Sequence, residues 1–229
     1  MRVAIAVPHY GPLNARFVAA LANLLVFSAG AEVNYNGRPT KPVIQTFFRE
    51  QGSLDYKRTQ LVLDAEQWAA DYLLWMDADH VFSPDAMFQL MRHDLAVVGC
   101  NYVTRQGPPV PVATGLDGNR IPTTEAGGLE EVLALGLGFC LVKMPALTEV
   151  KQRLVPGARL FETRMDNAGE MLVGEDTHFF NQVRKAGFPV YLDHSLSWSI
   201  GHISETIRTN ADAVRSEDAG SILSSARDR

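Results

Sequence analysis

The segment Tyr72–Asp79, with the sequence YLLWMDAD, places five large apolar residues before two aspartates that flank one alanine. An apolar run that ends in polar residues is typical of a buried strand in a parallel sheet. Asp77 and Asp79 would then lie at the carboxyl end of the strand, where open α/β sheets bind ligands. Carboxylate oxygens can hold Mg²⁺ or Mn²⁺, and the ion can hold a diphosphate. We therefore predict a metal and phosphate site here, the alternative being a solvated acidic turn.

The bulk properties predict one soluble α/β domain. The chain has 229 residues and a net charge of -5, which argues against a sequence-wide nucleic-acid surface but leaves a local basic groove open. Cys100 and Cys140 lie in separate apolar segments and indicate buried free thiols in a reducing compartment. The apolar segment 17–29 is interrupted by Asn23 and is too short to span a bilayer. We expect a cytoplasmic protein without a membrane span.

The remaining pattern predicts strands alternating with helices, as in an α/β fold with a parallel sheet. The predicted strands are 3–7, 43–48, 72–76, 95–100, 189–192 and 195–200, and the predicted helices are 17–27, 54–70, 83–93, 145–154 and 174–185. Asn14 and Ser83 are candidate helix caps. Residues 32–42 and 156–170 are predicted as irregular. The connection 104–128 holds five glycines and four prolines, and loops of this length are functional or disordered.

Two further polar groups are candidates for chemistry. Glu175 and Asp176 open a predicted helix, where acidic residues are favoured by the helix dipole whatever the function. The functional interpretation makes Asp176 a general base that removes a proton from an acceptor hydroxyl. His202 follows a late strand and would be a sensible third ligand beside Asp77 and Asp79, because imidazole suits Mn²⁺. An ordinary surface histidine is the alternative.

Other segments allow both a structural and a functional interpretation. The turn Pro8–Pro12 ends the first strand and can be a ligand loop or only a turn. Gly136 and Gly138 form an incomplete dinucleotide motif, or a bend that permits close backbone approach. Trp198 is either a core residue or a platform for a sugar ring.

Several stretches together resemble the GT-A-type nucleotide-sugar glycosyltransferases, particularly the large inverting family with compact, single-domain members. The resemblance covers about residues 3–203. Its motifs are the first strand, DYLLWMDADHVFSPDAMFQL with the DxD segment, VVGCNYVTRQGPP, LGLGFCLVKMPAL, GEDTHFFNQVRKAGFPVYLDHS and the closing GHI. It implies a GT-A fold: a Rossmann-like, mostly parallel central sheet flanked by helices in one domain, 1–203. Residues 204–229 are expected to form a peripheral, partly disordered tail.

The resemblance also implies a function, the transfer of one sugar from a UDP- or GDP-sugar to an acceptor hydroxyl that the sequence does not identify. Inversion at the sugar is expected. Asp77, Asp79 and His202 would hold Mn²⁺ or Mg²⁺ on the donor diphosphate, and Asp176, with Glu175 beside it, would supply the base. The implied donor-binding residues are Pro8, His9, Tyr10, Arg58, Asp77, Ala78 and Asp79. The implied acceptor-side residues are Gly136, Gly138 and Trp198.

Two other functions remain open from the sequence. A haloacid-dehalogenase-type phosphatase also places an Asp-x-Asp motif after a buried strand and would use Asp77 as nucleophile, although two predicted strands precede the motif here. A non-catalytic module of the same fold would bind the nucleotide sugar without turnover. The chain lacks the Gln-x-x-Arg-Trp-type motif of processive polysaccharide synthases, so we do not expect polymer synthesis.

Overall fold

The computed structural model of the chain describes residues 1–105, 107–204 and 207–212. The described helices are α1 Ala15–Gly30, α2 Leu54–Gln67, α3 Ala86–Arg92, α4 Met144–Arg153, α5 Glu175–Lys185 and α6 His194–Ser197. The described strands are β1 Arg2–Pro8, β2 Val33–Tyr35, β3 Arg38–Thr40, β4 Val43–Arg49, β5 Tyr72–Met76, β6 His80–Val81, β7 Val97–Gly99, β8 Leu129–Val132, β9 Phe139–Lys143, β10 Arg164–Met165, β11 Met171–Val173, β12 Val190–Asp193, β13 Gly201–Ile203 and β14 Ile207–Arg208. Most of the predicted tail, 205–206 and 213–229, lies outside the described residues.

Seven of the described strands form one central sheet in the order β4-β1-β5-β9-β7-β12-β8. Strands β4, β1 and β5 are parallel, and β12 is parallel to β7. Strand β9 runs antiparallel to both β5 and β7, and β8 runs antiparallel to β12. Five strands therefore point one way and two the other. The predicted α/β sheet flanked by helices is confirmed, and its mixed direction comes from β8 and β9.

The central strands are buried on both faces. In β5, Leu73 and Trp75 pack into one apolar cluster, with residues of α2, α4 and α5. Tyr72, Leu74 and Met76 pack into the other, with residues of α1 and α3. Successive side chains of a strand point to opposite faces, so a strand covered on both sides needs apolar residues at every position. This explains the uninterrupted run that precedes Asp77.

The segment predicted as a loop at 32–42 is a β-hairpin. Strands β2 and β3 pair antiparallel around Asn36 and Gly37, whose φ angles are 52° and 77°. A two-residue turn with both φ angles positive matches the twist of a hairpin, and Asn-Gly is the pair best suited to it. The loop prediction was wrong because it weighed the prolines and overlooked this dipeptide. The predicted irregular stretch 156–170 likewise contains β10, which pairs with β11.

The predicted strand at 195–200 is wrong. Asp193 instead caps the short helix α6, and its Oδ1 accepts a hydrogen bond of 2.9 Å from the Leu196 N–H. An aspartate cap satisfies an otherwise unpaired helical N–H, which favours a helical turn over a strand here. The strand β13 begins only at Gly201 and pairs antiparallel with β6.

Two other predictions about local structure can be compared with the fold. Asn14 caps α1, as predicted, through a 2.8 Å hydrogen bond from the Arg16 N–H to its Oδ1. The helix predicted from Ser83 starts only at Ala86, with Asp85 at the cap position.

Cys100 and Cys140 are buried and unpaired, as predicted. Within the described residues, no helix is both long and apolar enough to cross a bilayer.

Candidate active site

A cleft of about 540 Å³ opens at the carboxyl end of β5. Six residues predicted to bind the donor line this cleft: Pro8, His9, Tyr10, Asp77, Ala78 and Asp79. They come from the ends of β1 and β5, which are adjacent parallel strands and therefore end at the same edge of the sheet. The volume lies within the range of cofactor and small-ligand sites. The predicted placement of the ligand edge thus matches the position of this cleft.

The backbone around the two aspartates is fixed by neighbouring strands. The Asp77 N–H donates to the Gly138 carbonyl at 3.0 Å, and the His80 N–H donates to the Asp77 carbonyl at 3.2 Å. The Ile203 N–H donates to the Asp79 carbonyl at 2.7 Å. Pairing of β6 with β13 sets His202 directly opposite His80. The short ladder therefore brings residues 123 positions apart in sequence, Asp79 and His202, into contact.

Asp79, His80 and His202 form a group that could hold a metal ion, with one ligand atom from each lying within 4.8 Å of the others. The His202 Nε2 lies 3.1 Å from Asp79 Oδ2, and the His80 Nδ1 lies 3.3 Å from Asp79 Oδ1. The His202 Nδ1 donates to the Val103 carbonyl at 2.8 Å, which orients the ring as outer-shell partners of metal ligands do.

The ionisation of this group reflects its mutual contacts. Burial of Asp79 favours the neutral carboxyl, but contacts with His202 and His80 outweigh that effect and lower the pKa of Asp79. Burial of His202 opposes its positive charge, yet the hydrogen bond and charge of Asp79 raise the pKa of His202. Asp79 is therefore an anion at neutral pH, as a metal ligand must be.

His80 is a candidate metal-site residue that the sequence analysis missed. It is completely buried; its Nδ1 faces Asp79 Oδ1 at 3.3 Å without meeting hydrogen-bond geometry, and its Nε2 has no hydrogen-bond partner among the described residues. Its ring stacks on His202 with the centroids 4.5 Å apart. A buried imidazole without hydrogen bonds is costly, so a metal ion at Nδ1, the nitrogen that faces Asp79, would offset that cost. One carboxylate and two imidazoles fit Mn²⁺ better than Mg²⁺, which prefers oxygen ligands.

Asp77 has a different partner from Asp79. Arg58 of α2 is buried, and its Nη2 lies 3.2 Å from Asp77 Oδ1 while its Nε lies 3.2 Å from Glu175 Oε1. Burial lowers the pKa of Arg58, but the negative charges of Asp77, Glu175 and Asp176 outweigh it and raise that pKa. Arg58 therefore links the end of β5 to the start of α5 as a permanent cation. Its predicted contact with a donor stays a prediction, as does metal ligation by Asp77.

The two acidic residues of α5 differ in their surroundings. Burial raises the pKa of Glu175 above its ordinary value; the charge of Arg58 lowers it by less, and Asp176 raises it further. Asp176 is half-buried, and its Oδ1 accepts a 2.6 Å hydrogen bond from the Thr177 N–H. Glu175 is thus committed to an ion pair, whereas Asp176 has no ion pair among the described contacts. Neither residue is among those that line the cleft, and of the two Asp176 is the one whose carboxylate is not paired with Arg58.

The loop Pro8–Gly11 is held by a second residue that the sequence analysis did not identify as functional. Lys57 is completely buried, and its Nζ donates to the His9 carbonyl at 2.7 Å. The same Nζ lies 2.9 Å from the centre of the Tyr10 ring, which is 68% exposed. A buried ammonium under an aromatic ring is a stabilising cation–π arrangement. It presents the outer face of Tyr10 at the rim of the cleft.

The predicted acceptor-side residues lie outside the residues that line the cleft. Gly136 and Gly138 pack against Tyr102: a Cβ on Gly138 would fall 2.6 Å from the His80 ring, and the Gly138 N–H donates to Tyr102 Oη at 3.1 Å. Close approach therefore accounts for both glycines. Trp198 is half-buried and donates its ring N–H to the Thr124 carbonyl at 3.2 Å. Contact of these three residues with an acceptor stays a prediction.

Replacing Gly136 with alanine is expected to reduce the free energy of unfolding by about 1–3 kcal/mol, the usual cost of overpacking. The new Cβ would lie 2.0 Å from Oη of the buried Tyr102, whose ring packs against the rings of His80 and His202. Equilibrium unfolding in urea measures the change. Gly30→Ala is the control, because a Cβ there meets no described atom within 4 Å. An equal loss in both variants would contradict the packing explanation.

No protein-family model matches the chain, and no curated protein matches its sequence. Solved structures do match its fold. Protein A197 from STIV aligns with 18% identity and a TM-score of 0.52 over 89% of this chain and 86% of its own. The structure of GalNAc-T7 with UDP, GalNAc and Mn²⁺ aligns with 11% identity and a TM-score of 0.52 over 89% of this chain, which spans 44% of that protein.

The catalytic domain of Drosophila β1,4-galactosyltransferase 7, in complex with xylobiose, aligns with 15% identity and a TM-score of 0.51. The match covers 89% of this chain and 71% of that domain. At these identities the likeness concerns the fold. Together with the seven-stranded sheet and the cleft at the end of β5, it shows that the chain has the GT-A-type glycosyltransferase fold.

Proposed function

We propose that the chain is a metal-dependent glycosyltransferase that moves one sugar from a UDP- or GDP-sugar to an acceptor hydroxyl, with inversion at the sugar. The observation that carries the proposal is the Asp79–His80–His202 group, whose Asp79 lines the cleft at the carboxyl end of β5 in a GT-A fold. A divalent ion needs such a donor set, and a nucleoside diphosphate needs such a cleft.

Asp79, His80 and His202 would hold the ion, with Asp77 as a further predicted ligand. A bound divalent ion supplies Lewis-acid chemistry by neutralising the charge that develops on a departing diphosphate. The buried ring of His80 supports this assignment, because its Nδ1 faces Asp79 Oδ1 at 3.3 Å without meeting hydrogen-bond geometry. The contact of His202 Nδ1 with the Val103 carbonyl supports it too, because that contact leaves Nε2 facing Asp79.

The donor would lie against the loop Pro8–Gly11 and the turn Asp77–Asp79. The exposed ring of Tyr10, supported by Lys57, offers a flat surface on which a nucleotide base can stack. Asp176 would remove the proton from the acceptor hydroxyl as that oxygen attacks the sugar carbon. Arg58 would act indirectly, because its ion pairs with Asp77 and Glu175 would keep both carboxylates in fixed positions.

The alternative functions receive less support. A phosphatase would need Asp77 as nucleophile, but Asp77 Oδ1 is paired with the buried Arg58, and two of the three matching structures described above are glycosyltransferases. A non-catalytic binding module would share the fold and the cleft, and it would differ only in lacking turnover. We keep the cytoplasmic location as a prediction from the sequence.

A panel of nucleotides and nucleotide sugars, each tested with and without Mn²⁺, examines the proposal directly. We expect a nucleoside diphosphate to raise the melting temperature only when Mn²⁺ is present, since ligands that bind the folded state stabilise it. Slow release of the nucleoside diphosphate from the matching nucleotide sugar would reveal turnover. Binding without release would favour the non-catalytic module, and a panel without any Mn²⁺-dependent shift would refute the proposal.

A further inference from the structure

The guanidinium of Arg105 pairs with the carboxylate of Asp79, which also belongs to the Asp79–His80–His202 group. Its Nη1 is 3.0 Å from Asp79 Oδ2, and that oxygen also lies 3.1 Å from the His202 Nε2. The chain thus places one of its own cations where a divalent ion would need its anionic ligand. Because both cations would pair with the same carboxylate, binding of the ion and pairing with Arg105 compete with each other.

The ion pair between Arg105 and Asp79 is partly exposed to solvent and is therefore weak. The Arg105 side chain is 49% exposed and the Asp79 side chain 33% exposed. Ion pairs in such contact with water contribute little to stability, because solvent screens the charges and both side chains lose freedom. In contrast, in the neighbouring ion pair of Arg58 and Asp77 the arginine side chain is buried. A divalent ion can therefore displace Arg105 from Asp79 without disturbing the fold.

Arg105 is anchored so that a displaced side chain stays within the cleft. Arg105 itself lines the cleft, together with Tyr10 and Asp79. The preceding Thr104 N–H donates to the Val110 carbonyl at 2.9 Å, and the Val103 carbonyl accepts from His202 Nδ1. The backbone just before Arg105 is thus tied to a residue of the metal group. The guanidinium can turn about its own side-chain bonds while the backbone keeps its place.

We propose that Arg105 is a donor-binding residue that substitutes for the divalent ion at Asp79 in the free chain and pairs with the donor diphosphate once the ion is bound. This inference rests on the proposed function. When the ion has taken Asp79, a diphosphate bound in the cleft would offer anionic oxygens to the freed guanidinium, because Arg105 lines the same cleft. The planar, five-donor guanidinium matches phosphate oxygens in a two-pronged contact, which a lysine ammonium does not reproduce.

The proposal predicts that removing Arg105 changes two affinities in opposite directions. In Arg105→Ala, Mn²⁺ alone should bind about three-fold more tightly, because an exposed competing ion pair is lost. At saturating Mn²⁺, the nucleoside diphosphate that binds best in the panel should bind about ten-fold more weakly, because charge-assisted hydrogen bonds are lost. Free Mn²⁺ measured by electron paramagnetic resonance gives the first affinity, and titration calorimetry gives the second.

Two further variants and one further ligand make the experiment specific. Arg105→Lys should keep the Mn²⁺ affinity close to that of the unaltered chain but still weaken diphosphate binding. Arg92→Ala removes an exposed arginine of α3 outside the cleft and should change neither affinity. The nucleoside without phosphates should bind the unaltered chain and Arg105→Ala equally.

The outcomes separate this inference from the function on which it rests. If the unaltered chain binds Mn²⁺ and the nucleoside diphosphate, but Arg105→Ala leaves both affinities unchanged or shifts them in the same direction, Arg105 has no such role and the proposed function stands. If the unaltered chain binds neither ligand, both proposals fail together.

Discussion

Substituting asparagine for Asp79 is expected to abolish metal-supported binding of a nucleotide-sugar donor. The Asp79 carboxylate is the only anion in the Asp79–His80–His202 group among the described residues. Asparagine keeps the size of the side chain but offers a neutral oxygen, so the divalent ion loses the charge that holds it between two imidazoles. Outer-shell partners of a metal already contribute roughly 10–100-fold to affinity. Loss of a direct ligand should therefore cost at least about 100-fold.

Titration of the preferred nucleoside diphosphate with and without Mn²⁺ measures this effect. The matched control is Asp94→Asn, which removes a carboxylate that is 80% exposed and paired with Lys143. Asp94 lines a different cavity, which lies next to Tyr72, the first residue of β5. The control should bind the diphosphate as the unaltered chain does, and only with Mn²⁺. Undiminished Mn²⁺-dependent binding by Asp79→Asn would remove the basis of the proposed mechanism.

The central part of the fold was predictable because it depends on short-range patterns. Tyr72–Met76 must be apolar at every position to be buried on both faces, and this leaves a clear signature before Asp77. The same holds for Val3–Val7, whose side chains are buried without exception. Since both strands are parallel, their polar ends had to meet at one edge. The positions of Tyr10 and Asp79 in one cleft follow from that geometry.

His80 could not be identified in this way, because its role depends on long-range pairing. The ladder between β6 and β13 joins two segments about 120 residues apart, and only this ladder stacks His80 on His202. Nothing in the local sequence distinguishes His80 from an exposed histidine after a turn. The misassigned strand at 195–200 also concealed the ladder, since the pairing segment starts at Gly201.

The burial of Arg58 was predictable from the helical spacing of α2. Lys57, Arg58, Leu61, Val62 and Ala65 all lie on the buried side of α2. Residues three or four positions apart share a helix face, so the two basic residues continue the apolar stripe into the core. Buried cations require anionic or carbonyl partners. The helical spacing therefore indicates that both cations have partners inside the protein, although it does not identify them.

Asp176→Asn is expected to leave donor binding intact while it removes sugar transfer. Asparagine can keep the oxygen that accepts the hydrogen bond from the Thr177 N–H, so the start of α5 should retain its conformation. What the variant loses is an oxygen basic enough to take the acceptor's proton. A general base contributes about 10²–10⁴-fold to a rate. We expect the transfer rate to fall by that factor, with the affinity for the nucleoside diphosphate changed by less than about two-fold.

Glu175→Gln separates a structural role of Glu175 from the proposed role of Asp176 as the base. Glu175 pairs with the buried Arg58, so its neutralisation leaves that cation with fewer anions around it and should lower the melting temperature. Asp176 has no ion pair of this kind among the described contacts, so Asp176→Asn should lower the melting temperature much less. Transfer rates at saturating donor, compared with melting temperatures, separate the two roles. If Asp176→Asn still transfers sugar while a folded Glu175→Gln does not, the base is Glu175, and Arg58 then controls its proton affinity directly.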